Sequence, residues 1–253
     1  MPDFDMTGKV AVVTGGSRGL GREIALAYAE HGASVVVASR KADACAAAAE
    51  EITRKTGREA LGIGCHVGDW AQCDALAEAV HERFGRIDVL VNNAGASPLY
   101  PSLVEITEEL WDKILAVNLK GAFRLSALMG TRMAETGGGA IINMSSVGSI
   151  APSAHELPYA AAKAGLNTLA AGLARALSPS VRVNTIVAGP FLTDISKAWD
   201  MDAFEQYAQT GIPLQRGGRP HEIVGAALYL ASDASSYTNG AAIVIDGGMT
   251  SSR

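Results

Sequence analysis

The sequence predicts an α/β fold: one doubly wound domain on a seven-stranded, mainly parallel sheet with helices on both faces. Two observations carry this. Seven short runs rich in Val and Ile recur along the 253 residues, and stretches with helical spacing lie between them, several closed by a glycine. Parallel strands need crossover connections, and regular strand–helix alternation supplies them. An apolar fraction of 48% with 28 glycines describes a compact chain with many tight turns, long enough for one full core. No linker, repeat or break in composition marks a boundary, so residues 1–253 are read as a single domain.

In chain order, the first strand is Val10 to Val13, followed by a helix from Arg22 to His31 that ends at Gly32. Ser34 to Ala38 is the second strand, and Asp43 to Thr56 the next helix, with Asp43 as its N-cap and Gly57 at its C-terminal end. Ala60 to Ile63 and the helix Trp70 to Phe84, closed by Gly85, repeat the unit, and Val89 to Val91 gives a fourth strand. One long helix is expected over Glu108 to Glu135, then a strand at Ala140 to Asn143, a helix at Tyr159 to Leu177 and a strand at Val181 to Val187. The run from Phe191 to Pro220 has no clear period, and loops of such length usually carry function. A helix from His221 to Ala231 and a last strand, Ala242 to Ile245, complete the domain.

Charge and termini narrow the function classes. A net charge of −5 without a one-sign run provides no footprint for nucleic acid or a membrane surface. Asp3 and Asp5 stand where a secretory signal would carry basic residues, and no apolar stretch approaches spanning length, so the cytoplasm is the expected location. Cys45, Cys65 and Cys73 lack CxxC spacing and are read as packing thiols, with no metal site.

Directly after the first strand comes Thr14-Gly15-Gly16-Ser17-Arg18-Gly19-Leu20-Gly21, leading into a helix. Such a turn brings backbone N–H groups and the positive end of a helix against a pyrophosphate. Its spacing, TGxxxGxG, resembles the glycine motif of the short-chain dehydrogenase/reductase family. Asn92-Asn93-Ala94-Gly95 matches that family's NNAG, Tyr159-Ala160-Ala161-Ala162-Lys163 its YxxxK, Ser146 its serine thirteen positions before the tyrosine, and Asn118 its helix asparagine. The motifs keep their order from Val10 to Gly248. The resemblance implies a Rossmann-like dinucleotide-binding and catalytic domain in which Gly15, Ser17, Arg18, Gly19, Leu20, Gly21, Asn93, Ala94 and Gly95 line the nucleotide.

The second strand ends Ser39-Arg40-Lys41, with no acid to take a ribose 2′-hydroxyl. Arg40 can pair instead with a 2′-phosphate, and the resemblance sets Arg18 against the same group, so NADP(H) is expected over NAD(H). Two departures from the family pattern stand out: His66 where it usually has Asp, and Ala188 where it has Pro. His66 and Val67 are assigned to the adenine, with a packed histidine the competing reading. Gly189, Phe191 and Thr193 are assigned to the nicotinamide carboxamide.

Tyr159 and Lys163 are four apart in an Ala-rich helical stretch and share one face. An ammonium beside a phenol favours the phenolate, and the expectation is that Lys163 lowers the Tyr159 pKa towards neutral. By resemblance, Tyr159 is the acid/base, Lys163 also holds the nicotinamide ribose, Ser146 binds the substrate oxygen, and Asn118 holds a water that completes a proton relay. Residues 191–216 are read as a substrate lid whose Phe191, Leu192, Ile195, Trp199, Phe204 and Tyr207 offer apolar contacts; the insertion Ser153-Ala154-His155-Glu156-Leu157-Pro158 approaches the same pocket before Tyr159, and His155 in it is assigned no role. The expected reaction is hydride transfer between NADP(H) and a carbonyl or secondary alcohol, with a small apolar or acyl ketone first and a sugar or polyol as the alternative. A binder that keeps the fold without turnover, or a dehydratase or epimerase, fits less well. The motif set is similar to that of 3-oxoacyl-[acyl-carrier-protein] reductases, but Gly137-Gly138-Gly139 and Ser178-Pro179-Ser180 lack the arginines that would meet an acidic carrier. The resemblance also implies a homotetramer built through the outer faces of the helices at 108–135 and 159–177 and through Ile243 to Met249.

Overall fold

The computed structural model describes residues 4–194, 196 and 199–251. Seven strands, β1 (Val10–Thr14), β2 (Ser34–Ser39), β3 (Ala60–Gly64), β4 (Val89–Asn92), β5 (Gly139–Ser146), β6 (Val181–Ala188) and β7 (Ala242–Ile245), form one sheet. Its order is β3-β2-β1-β4-β5-β6-β7, and every neighbouring pair is parallel. The chain winds outward from β1 in one direction and from β4 in the other, which opens a crevice at the carboxyl ends of those two strands. β1 and β4 are buried at every residue, as strands covered on both faces must be, which is why they read as unbroken apolar runs.

Two cores flank the sheet. On one side α1 (Gly19–Glu30) and α8 (Val224–Ala231) pack Ile24, Tyr28 and Leu228 against Val13, Val37 and Ile186. The Tyr28 hydroxyl, inside that core, donates to the Ala227 carbonyl at 3.0 Å and ties the two helices together. On the other side α3 (Trp70–Phe84) and α5 (Gly121–Glu135) bury Leu76, Val80, Leu125 and Met129 against Val12, Leu90 and Ile141. Full burial of each such side chain contributes about 1.5–3 kcal/mol.

The structure departs from the sequence reading in several places, among them the helix expected from His221, which is a 3-10 turn over Pro220–Ile223 before α8 begins at Val224. α1 begins at Gly19, inside the glycine turn, earlier than Arg22. Asp43 is not the N-cap of α2 (Ala42–Thr56): Lys41 holds that position without a side-chain bond, and Asp43 lies in the first turn, where its charge suits the positive helix end. The long helix expected over 108–135 is α4 (Glu108–Leu115) and α5 joined by one π-helical turn, Ala116–Lys120. At Gly121 the helix comes so close to the loop after β3 that a Cβ would stand 2.1 Å from the Val67 carbonyl oxygen. The run after β6 contains α7 (Met201–Gly211), capped by Asp200, which accepts from the Ala203 amide at 3.0 Å. α6 (Leu157–Ala176) carries Tyr159 and Lys163 in its first two turns.

Candidate active site

The residues singled out in the sequence gather at the carboxyl ends of β1 to β6. Thr14, the last residue of β1, organises the turn: its hydroxyl donates to the Val91 carbonyl at 3.1 Å and accepts from the Asn93 and Ala94 amides, both at 3.0 Å. The Asn93 side chain donates back to the Thr14 carbonyl at 2.8 Å. A Cβ on Gly21 would meet the Asn93 side-chain nitrogen at 2.4 Å, so the helix sits against the Asn93 loop only because glycine is there. Gly19 has φ +55 and a Cβ on it would face only Thr193, 3.5 Å away, which leaves the turn open towards a cleft.

That cleft, about 680 Å³, lies between Ser17, Arg18 and Gly19 on one side and Leu192, Thr193 and Ser196 on the other. The Ser17 and Ser39 hydroxyls are 2.9 Å apart, which joins the glycine turn to the end of β2. Arg18 and Arg40 each follow one of these serines. Both are exposed, and among the described residues neither guanidinium is engaged in a hydrogen bond or ion pair. An open glycine turn at a helix start fits the phosphates of a dinucleotide. His66 is fixed from within its own loop, its Nδ1 accepting from the Gly68 amide at 3.1 Å, while buried Val67 accepts from the Cys73 thiol through its carbonyl.

Ser146 ends β5, and Tyr159 and Lys163 stand opposite it on α6. The Lys163 ammonium is buried, donates to the Met144 carbonyl at 2.8 Å and lies 5.6 Å from the centre of the Tyr159 ring. The structure corrects the sequence reading of their charges. Burial pushes Tyr159 up to about 12, an effect that a hydrogen bond from Ser146 only partly offsets. It pushes Lys163 down to about 8. With its nitrogen committed to a carbonyl rather than to the phenol oxygen, the lysine does not overcome the cost of a phenolate away from water.

Asn118 lies in the π-helical turn, buried. Its amide nitrogen donates to the carbonyls of Ala96 and Ile114 at 2.8 and 2.9 Å, and its oxygen accepts from the Ala96 amide at 3.2 Å. The side chain is therefore spent on holding the loop after β4. A Cβ on Gly95 would be 3.0 Å from the Asn118 oxygen and 3.7 Å from the Lys163 nitrogen, so this glycine keeps open the gap between them.

In the lid, Phe191 proves to be a core residue, packed against Gly218, and does not offer its ring to a substrate. The backbone on either side of it is pinned by Leu192 N–H to the Gly218 carbonyl at 2.8 Å and Gly218 N–H to the Pro190 carbonyl at 2.9 Å. Gly189 passes so near Asp246 that a Cβ would touch its Cα at 2.7 Å. Trp199 and Phe204 face each other, 5.2 Å between ring centres, and Tyr207 is exposed; Ile195 lies outside the described residues. His155 is exposed, as a loop residue should be. Sequence reasoning missed the bonds made by Thr14 and Tyr100, and it brought the segment of Glu156 to the pocket without singling out that residue. The first could have been noticed as the residue between strand and turn; the other two carry no local signature.

Comparison with known proteins agrees with this geometry. A family model described as enoyl-(acyl carrier protein) reductase matches residues 15–250. D-threitol dehydrogenase of Mycolicibacterium smegmatis is 41% identical over 257 residues, covering 98% of this chain and 95% of its own. Among solved structures, a short-chain type dehydrogenase/reductase from Mycobacterium marinum superposes with TM-score 0.91 at 36% identity, over 98% of this chain and 97% of its own. L-sorbose reductase from Gluconobacter frateurii, complexed with NADPH and L-sorbose, gives TM-score 0.92 at 32% identity, over 98% of each chain. With a family model matched over residues 15–250 and relatives of 36–41% identity covering nearly its whole length, this chain belongs to the short-chain dehydrogenase/reductase family, oxidoreductases that act on CH–OH groups.

Proposed function

We propose that this protein interconverts a secondary alcohol and a ketone on a small polyhydroxylated substrate, with NADP(H) as its nucleotide. The observation that carries the reaction is the convergence of Ser146, Tyr159 and Lys163 at the end of β5, with the Lys163 nitrogen 5.6 Å from the centre of the Tyr159 ring. Ser146 and Tyr159 hold the substrate oxygen between two hydroxyls. In reduction Tyr159 gives its proton to that oxygen as negative charge develops there; in oxidation it takes the proton back. When bound, the nicotinamide supplies or accepts the hydride, and its oxidised form adds a positive charge beside the phenol. Lys163 orients the nucleotide ribose. A water in the gap that Gly95 keeps between Asn118 and Lys163 would complete a proton relay.

Arg18 and Arg40, free of internal partners beside the Ser17–Ser39 pair, support the 2′-phosphate and thus NADP(H) over NAD(H). The polyol reading, rather than an apolar ketone, is supported by the loss of Phe191 to the core and by relatives named for threitol and sorbose. A panel of polyols, sugars and apolar alcohols followed by NADPH absorbance, with NAD(H) in parallel, tests both parts. Turnover confined to apolar ketones would sink the substrate class, and equal use of both nucleotides would sink the preference.

A further inference from the structure

The loop that leads into α6 carries a carboxylate whose surroundings differ from those of the protein's other partly buried acids. Glu156 stands at the N-cap position of α6, three residues before Tyr159, yet its side chain makes no bond to the helix amides. It turns instead onto the segment after Ser146: a Cβ on Gly148 would lie 2.7 Å from Oε1 and 3.4 Å from Oε2. The Gly148 amide itself is taken, donating to the Ser146 hydroxyl at 3.1 Å. The carboxylate therefore packs on the residue whose amide holds the Ser146 hydroxyl, and its charge acts on Tyr159.

It is also poorly satisfied. Its one hydrogen bond is long, from the Ser153 amide to Oε1 at 3.4 Å, and among the described residues no cation pairs with it. Glu51, Asp74 and Asp88 each meet an arginine at 2.5–2.6 Å. A half-buried carboxylate with one oxygen unused by the described residues can accept a hydrogen bond from a donor outside the chain. The loop is held as though to present it. The Tyr100 hydroxyl, from the loop after β4, donates to the Ala154 carbonyl at 2.8 Å and accepts from the Leu157 amide at 2.9 Å, clamping the chain on both sides of Glu156.

We infer that Glu156 accepts a hydrogen bond from a second hydroxyl of the substrate, on a carbon next to the one that is oxidised, and so selects vicinal diols and polyols. The inference rests on the proposed polyol chemistry and gives it a residue. An ionised carboxylate accepts and cannot donate, so it rewards a hydroxyl and repels a substrate that carries its own carboxylate near the reacting carbon. Tyr100 acts through the loop and is a positioning residue. Glu156 also raises the Tyr159 pKa through its charge.

The test uses the full-length protein with NADP⁺ and compares kcat/KM for butane-2,3-diol and butan-2-ol in wild type, Glu156→Leu and Glu156→Gln. NADPH titration of each variant checks that the fold and nucleotide site survive. Wild type should favour the diol. Glu156→Leu should lower the diol-to-monoalcohol ratio roughly tenfold to hundredfold, the range of one hydrogen bond to a charged group. Glu156→Gln, which keeps one acceptor oxygen, should fall between. The charged groups that face Tyr159 are Lys163, from the same helix, and Glu156. Both variants should therefore move the alkaline limb of butan-2-ol oxidation to lower pH, a change that a loop-packing role would not cause. A ratio unchanged in both variants overturns the role of Glu156 while leaving the polyol reading intact. A wild type that prefers butan-2-ol, or turns over neither alcohol, overturns the polyol reading and this inference together. Preference for 1-aminopropan-2-ol over the diol overturns the hydroxyl assignment in favour of an ammonium.

Discussion

Burial, complete for Lys163 and partial for Tyr159, drives each towards its neutral form, to about 8 and about 12. Desolvation is the leading cause for both, and the ammonium donates to the Met144 carbonyl at 2.8 Å. The sign for catalysis follows. Alcohol oxidation needs the phenolate, whose fraction grows about tenfold per pH unit below the Tyr159 pKa; ketone reduction needs the phenol, which persists until that pKa is passed. Log kcat/KM for oxidation should therefore climb from neutral into alkaline pH while reduction stays level and then declines. A pH profile in which oxidation is flat from pH 7 to 10 would contradict the assignment. Replacing Tyr159 with Phe removes only the hydroxyl, so turnover should drop about 10²–10⁴-fold with NADPH affinity retained. Steady-state rates beside a fluorescence titration separate the two effects, and near-normal turnover would exclude Tyr159 as the acid/base.

The elements matter for what they place at their ends. Strand β2 finishes at Ser39, whose hydroxyl meets Ser17 at 2.9 Å and the Cys45 thiol at 3.0 Å, so the β2 end, the glycine turn and α2 are fastened at one point. Arg40 extends from that point into solvent. Its substitution by Ala should leave the fold alone and weaken NADPH roughly tenfold or more, the scale of a charge-assisted bond, with little change for NADH. Parallel titration of both nucleotides checks this, and equal losses would remove the 2′-phosphate contact. The π-helical turn between α4 and α5 is a second such device. It buries Asn118, which fastens the loop after β4 at Ala96, next to Gly95 and the lysine.

At the scale of the molecule, two surfaces are built for covering. An apolar groove of about 860 Å³ runs along α4, α5 and α6, lined by Leu115, Leu119, Phe123 and Leu169. Among the described residues strand β7 pairs only with β6, and Val244 is 43% exposed. Open edges and large apolar patches on a soluble chain invite a partner. A twofold contact through the helices and another through the β7 end give a homotetramer with dihedral symmetry, the assembly we expect. Light scattering at micromolar concentration should report four copies; a monomer would refute it.

Every strand lies within three residues at each end of where its Val- and Ile-rich run is read, because burial on both faces writes itself directly into local composition. The glycine turn and the Tyr159–Lys163 spacing were legible for the same reason: a phosphate-binding turn and one face of a helix are local geometry. What tertiary structure alone decided depends on residues distant in the chain. Asp43 lost its cap role to backbone placement, Phe191 went to the core because Gly218 came to meet it, and the expected lysine effect on Tyr159 was reversed by burial. Glu156 has no motif around it. Its place beside Ser146 comes from Gly148 underneath and from Tyr100, more than fifty positions earlier, holding its loop, and no local pattern encodes desolvation or a contact across such a span.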